Sequence, residues 1–258
     1  MCMCKVQLIL VDGMRPDALA ACKNPYVNEL LENSLYTLKA QTVMPSVTLP
    51  CHMSLFHSVE PGRHGITTNT YMPMARPVDG ICERVRKGGK KPGLYYNWEE
   101  LKDLARPDSL ANSVYYSGHC YGYAAANPYV ANEAIRAINE LGLDFTFTYF
   151  GWSDEAGHNF GWMGEEYLHA VHESWNCIRK MVESAPEDCI TIITADHGGH
   201  DRAHGTDMPE DMLIPVILHG KGLKGELEGD VSIMDIAPTI VKLLGCECAP
   251  EWEGKSLL

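Results

Sequence analysis

Three short apolar runs in this sequence stop at side chains that bind metals. The run at 189–195 delivers Asp196 and His197 side by side, then two glycines and, shortly after, His204. The run at 6–11 ends at Asp12 before Gly13, and the run at 144–150 leads into GWSDEAGH with Asp154 and His158. Carboxylates and imidazoles are the ligands that zinc and manganese accept. One Asp-His pair has a plain reading, an aspartate at a helix start beside a surface histidine. Three such exits are different, because ligands of open α/β sheets gather outside the carboxyl ends of parallel strands. Asp12, Asp154, Asp196, His158, His197 and His204 are therefore predicted to meet in one cavity. Six such groups suit two divalent ions better than one, with zinc as the first expectation and manganese the second.

Elements must alternate to bring those exits together. Besides the three runs, strand patterns occur at 34–43, 93–96, 113–116 and 213–218. Helical patterns occur at 26–32 after Pro25, at 98–105, at 129–141, and at 235–244 with Pro238 in the first turn and Gly245 after the end. A long amphipathic helix is predicted over 163–182, its stripe formed by Leu168, Val171, Trp175, Ile178 and Val182, with His169 and His172 facing solvent. The basic run RVRKGGKK at 84–91 reads as a solvated turn. Strand-helix alternation predicts an α/β fold, doubly wound, with a mainly parallel central sheet and helices on both faces. With 258 residues, it is expected to form a single domain over 1–258.

Composition narrows the partners. A formal charge of −13 argues against a nucleic-acid polymer, whose phosphates are bound by basic faces. An acidic protein still binds a small anion when metal supplies the local positive charge. No apolar stretch reaches the roughly 18 residues of a membrane span, so no membrane association is expected. The opening MCMCKVQLILVDG lacks the pattern of a secretory signal, which favours a cytoplasmic location. Ten cysteines are scattered, and neither Cys2/Cys4 nor Cys246/Cys248 has the spacing of a structural zinc site. Reduced, mostly buried thiols are the expectation.

A second informative stretch, MPSVTLPCHMSLFHSVEPGRHGITTN, spans 44–69. Thr48 precedes Leu49-Pro50 and an apolar-periodic segment, so it is placed at the N-cap of a helix with Pro50 in the first turn. The same geometry offers free N–H groups and a positive dipole to a phosphate or alkoxide. His52 and His64 read as helix-surface and turn residues. His200 and His204 both lie within reach of the Asp196-His197 turn.

Taken in order, the DG after the first strand, SVTLPCH with PGRHGI and Asn69, DEAGH, and DHGG followed by HG resemble the alkaline phosphatase superfamily, most closely its nucleotide pyrophosphatase/phosphodiesterase branch. The terminal VSIMDIAPTIVKLLG is similar to that superfamily's last helix, so the resemblance runs from about residue 6 to 258. It implies that Asp12, Thr48, Asp196 and His197 surround one metal while Asp154, His158 and His204 hold the other, which favours His204 over His200. It further implies that Thr48 is a covalent nucleophile activated by metal, with Asn69, twenty-one residues later, binding a phosphoryl oxygen and the Leu49 N–H steadying developing charge. The chain departs from many members in having His57-Ser58 where they have Thr-Gly, and its middle region is short.

The function that follows is hydrolysis of small phosphodiesters or nucleotide pyrophosphates through a phosphothreonine. Phosphomonoester hydrolysis on the same fold is the alternative. A sulfatase would carry a nucleophilic Cys or Ser followed by a Pro and Arg pattern, and Thr48 lacks that arginine. Tyr71, Tyr95, Tyr96, Trp98, Tyr121 and Tyr123 offer either a stacking surface for a base or ordinary core packing.

Overall fold

β-Branched and aromatic runs become strands here because both faces of the sheet are covered. The computed structural model describes residues 4–70 and 72–258, so Cys2 and Tyr71 lie outside the described residues. Eight strands form one sheet: β1 (Lys5–Val11), β2 (Ser34–Gln41), β3 (Pro92–Tyr96), β4 (Asn112–Tyr115), β5 (Phe145–Phe150), β6 (Cys189–Thr194), β7 (Leu213–His219) and β8 (Gly225–Glu226). Their spatial order is β4-β3-β5-β1-β6-β7-β2-β8. The five strands from β4 to β6 run parallel, β7 runs against both β6 and β2, and β8 pairs parallel with β2. This is the expected mainly parallel α/β sheet.

Every residue of β5 and β6 is buried, as is all of β1 after Lys5. The polar exception in β1, Gln7, donates through Nε2 to Thr191 Oγ1 at 2.7 Å. Helices Tyr123–Glu140, Trp152–Phe160 and Glu165–Glu183 pack on one another, while Thr48–His57, Ile81–Lys87 and Ile236–Leu243 form a second group. In the Glu165–Glu183 helix the buried face comprises Tyr167, Ala170, Val171, Ser174, Trp175, Ile178 and Met181. The predicted stripe was thus turned slightly, leaving Leu168 and Val182 at its margin. His169 is exposed, whereas His172 is half-buried and donates from Nδ1 to the Cys22 carbonyl at 3.0 Å.

Two other expectations are corrected. The Tyr123–Glu140 helix begins six residues before the predicted start at 129 and carries Pro128 inside it; burial of Tyr123, Ala126 and Asn127 outweighs the backbone bond that proline cannot make. The basic run predicted as a turn is helical through Ile81–Lys87. Ile81, Cys82 and Val85 are buried there, and Glu83 accepts from the Gly80 and Arg106 N–H groups at 2.7 and 2.8 Å. The strand exit after β5 is also helical, over Trp152–Phe160, which sets Asp154 and His158 four residues apart on one face.

Among the described residues no helix is long and apolar enough to cross a membrane.

Candidate metal centre

The order β5-β1-β6 decides the site, because three adjacent parallel strands end level with one another. Val11 stands opposite Phe150 and Leu10 opposite Thr194, so Asp12, the helix bearing Asp154, and Asp196 leave the same edge. β2 runs to that edge too, and the chain beyond it enters the Thr48–His57 helix.

Asp12 and Asp196 are each held by one oxygen and present the other. Asp12 Oδ2 accepts a short hydrogen bond from the Tyr149 hydroxyl, leaving Oδ1 without a partner. Asp196 Oδ1 accepts from the Gly13 and His197 N–H groups at 3.2 and 3.0 Å, leaving Oδ2 free. Asp154 Oδ1 is likewise buried and unpaired. Gly13 adopts φ +66°, where a side chain would be strained and would press on the Trp162 ring at 3.3 Å.

The histidines follow the complementary rule. Nδ1 of His158, His197 and His204 donates to the carbonyls of Arg202, Gly198 and Ser46 at 3.0, 2.8 and 2.8 Å. That bond selects the tautomer whose Nε2 lone pair faces the carboxylates. His158 Nε2 and His204 Nε2 lie 3.5 and 3.6 Å from Asp154 Oδ1, and His197 Nε2 lies 3.4 Å from Asp12 Oδ1 and 3.3 Å from Asp196 Oδ2. The His197 and His204 rings stack at 3.8 Å. Ligand atoms converge in two groups, Asp154/His158/His204 and Asp12/Asp154/His197, with Asp154 common to both.

Burial, reinforced by Asp196 and Asp154, pushes the Asp12 carboxyl well above its ordinary range. Burial raises Asp154 to about 6 despite His204 and His158, and raises Asp196 against the pull of His52. It lowers His197 and His204 to about 4, keeping their lone pairs unprotonated. Three unpaired carboxylate oxygens gathered beside the lone pairs of His197 and His204 would be costly without a cation between them. The donor set therefore fits divalent metal.

Thr48 sits at the Asp12/Asp154/His197 group, with Oγ1 3.1 Å from His197 Nε2. It is the first helical residue and not the cap; Val47 occupies the cap position, and the Thr48 hydroxyl is turned into the site. Asn69 is exposed beside it, and its Oδ1 accepts from the Leu49 N–H at 2.9 Å. That bond occupies the Leu49 donor expected to steady charge and leaves the Asn69 NH₂ as the free donor. His200 pairs through Nδ1 with buried Asp211 at 2.8 Å, outside the cluster.

Sequence reasoning missed two buried neighbours. Tyr149 holds Asp12, and nothing in FTFTYF distinguishes it from core. His52, read as a surface residue, is fully buried; Nδ1 donates to the Thr48 carbonyl at 2.8 Å and lies 3.5 Å from Asp196 Oδ2. Its four-residue spacing from Thr48 was the available signal. His64, read as a turn residue, is also buried, 3.1 Å from Ser54 Oγ.

A cavity of about 330 Å³ opens over the cluster, its remaining wall including Asn69, Trp98, His119, Tyr123 and Glu155. Tyr95 and Tyr96 are core residues, and Tyr121 stacks on Tyr116 at 4.5 Å. A larger cleft of about 430 Å³ between the Tyr123–Glu140 and Glu165–Glu183 helices holds none of the clustered ligand groups.

Residues 6–95 match the family model of type I phosphodiesterase/nucleotide pyrophosphatase, and residues 118–248 match that of the metalloenzyme superfamily. The 2,3-bisphosphoglycerate-independent phosphoglycerate mutase of Bacteroides thetaiotaomicron is 34% identical over 134 residues, covering 50% of this chain and 26% of the mutase. The chain thus spans about a quarter of the length of the curated relatives it matches. Among solved structures, an inactive murine ectonucleotide pyrophosphatase/phosphodiesterase 5 in complex with AMP superposes with TM-score 0.80 at 15% identity, covering 95% of this chain and 96% of that one. The phosphonate monoester hydrolase of Silicibacter pomeroyi superposes with TM-score 0.74 at 15% identity, covering 98% and 76%. At such identities the likeness speaks for the fold alone. With the metalloenzyme model matched over half of its length, the chain belongs to the metalloenzyme superfamily, within the alkaline phosphatase superfamily.

Proposed function

We propose that the protein is a metal-dependent hydrolase that cleaves small phosphodiesters or nucleotide pyrophosphates through a phosphothreonine on Thr48. The observation that carries the reading is the 3.1 Å approach of Thr48 Oγ1 to His197 Nε2, at the edge of three carboxylates that each offer an unpaired oxygen. Asp12, Thr48, Asp196 and His197 would hold one ion and Asp154, His158 and His204 the other, with zinc favoured and manganese second. When bound, such ions lower the pKa of a coordinated hydroxyl or water and neutralise phosphoryl charge.

The residues supply the rest. Thr48 Oγ1 forms a bond to phosphorus as the bond to the leaving alcohol breaks, and the hydroxyl proton ends on that alcohol. Water then attacks phosphorus, the phosphorus–Oγ1 bond breaks, Thr48 regains a proton, and a phosphomonoester leaves. The Asn69 NH₂ is positioned by its own Oδ1 bond to Leu49 and can donate to a phosphoryl oxygen. Tyr149 and the backbone partners of the histidines keep the ligand atoms aimed inward.

A monoester carries more charge on its nonbridging oxygens and calls for an extra cation. Neither lysine nor arginine lines the cavity among the described residues, which favours the diester over the monoester alternative. The acidic composition favours a small ester over a nucleic-acid polymer, and the buried, unbridged thiols of Cys22, Cys51, Cys82 and Cys189 are consistent with a cytoplasmic location. A comparison of kcat/KM for bis(p-nitrophenyl) phosphate and p-nitrophenyl phosphate on metal-loaded protein tests the reading. The diester should be preferred; a tenfold preference for the monoester, about 1.4 kcal/mol of transition-state stabilisation, would overturn it.

A further inference from the structure

The part of the cavity wall that offers no proposed ligand is chemically uneven. Trp98, His119 and Tyr123 line it together with one carboxylate, Glu155, on the same helix as Asp154 and His158. Glu155 is half-buried, and among the described lining residues it faces no lysine or arginine. The carboxylate therefore projects its field into the cavity without a fixed cationic partner there.

The charge balance of the site gives that position a consequence. Two divalent ions bring four positive charges, and Asp12, Asp154 and Asp196 bring three negative ones, so one positive charge remains. A phosphodiester monoanion cancels it. Any further anionic group on the substrate must then lie against a wall whose one charged side chain beyond the ligands is a carboxylate. Like charges brought together in a partly desolvated cavity repel far more strongly than in water.

We infer that this wall selects phosphodiesters whose departing alcohol carries no negative charge, that it disfavours phosphoric anhydrides such as nucleoside triphosphates, and that Glu155 is the residue setting the preference. The inference rests on the proposed hydrolase reading and divides its two substrate classes. Discrimination here comes from an unpaired repulsive charge placed against the wrong substrate, without new contacts to the right one. Glu155 is a specificity-determining residue and takes no part in bond making.

The test measures kcat/KM for ATP and for bis(p-nitrophenyl) phosphate on metal-loaded wild-type protein, Glu155→Gln and Glu155→Lys. The ratio of ATP to diester should rise about tenfold in Glu155→Gln and further in Glu155→Lys, and the rise should shrink at high salt. A residue needed only for folding would lower both activities together and leave the ratio unmoved, and an unmoved ratio overturns the inference. Were neither compound hydrolysed, the hydrolase reading would fall by itself. Equilibrium dialysis of ATP against the same metal-loaded proteins then decides the inference, with about tenfold tighter binding to Glu155→Gln supporting it and equal binding overturning it.

Discussion

The two ligand groups of the site are built from different material. The inner one as proposed, Asp12, Asp196 and His197 with Thr48, lies at the ends of central strands and on a buried helix start, and every member is buried. The outer one, Asp154, His158 and His204, stands on a short helix and a loop, with His158 exposed and the other two half-buried. Inner side chains are locked by neighbours that are themselves core, such as Tyr149 and His52. Outer side chains are aimed by backbone carbonyls of non-regular segments, at exposed Arg202 and buried Ser46. A site with a rigid buried half and an accessible half can keep its nucleophile fixed while substrate and water enter from the other side.

The largest expected effect breaks the inner half. Thr48→Ala should lower turnover of bis(p-nitrophenyl) phosphate by about 10³-fold or more, while metal content stays nearly unchanged, because three stronger ligands remain around that ion. Acid quench with a phosphothreonine assay should find the label on wild-type protein alone. Substantial turnover by the variant would mean that water attacks directly.

An intermediate effect sets the halves against each other. Chelator titration should remove metal in two phases, the first from the exposed group, and His158→Ala should lose the first phase with about one equivalent of metal and about 10- to 100-fold of the activity. Elemental analysis along the titration checks this. A single phase releasing both ions together would erase the distinction between the groups.

The smallest effect separates burial from ligand chemistry. His57 and His64 are buried like His197 but lie away from the site carboxylates, and burial, aided by Arg106 at His57 and by His57 at His64, lowers both to about 4. Because the unfolded chain binds these protons near pH 6.5 and the folded chain only near pH 4, stability should be full above pH 6.5 and fall as pH drops through that window. Each ring contributes a slope of up to about 1.4 kcal/mol per pH unit. Urea unfolding between pH 7 and 4.5 measures it, and a flat profile would show that the rings take up protons without cost.

Much of this was legible in the residues. The three apolar runs, their parallel sense and the chemistry of their exits follow from patterning, because a strand buried on both faces is necessarily apolar and its first polar residue marks the edge. Thr48 and Pro50 marked the helix start to within one residue, and the resemblance of the motif supplied Asn69 as its neighbour. The wall was harder. Residues 92–123 mix aromatics with prolines and glycines, and periodicity does not tell a tyrosine packed in the core, such as Tyr95, from one lining the cavity, such as Tyr123.

By itself the sequence determined the ligand types, the strands that end in them and the α/β alternation, since these depend on local composition and period. Only the tertiary structure decided that His204 enters the site while His200 pairs with Asp211, that His52 lies beneath the nucleophile, and that Glu155 is the charge left facing the cavity. These are outcomes of packing between segments far apart in the chain. Which side of a histidine meets a carboxylate, and which carboxylate meets none, depends on neighbours that no local pattern records.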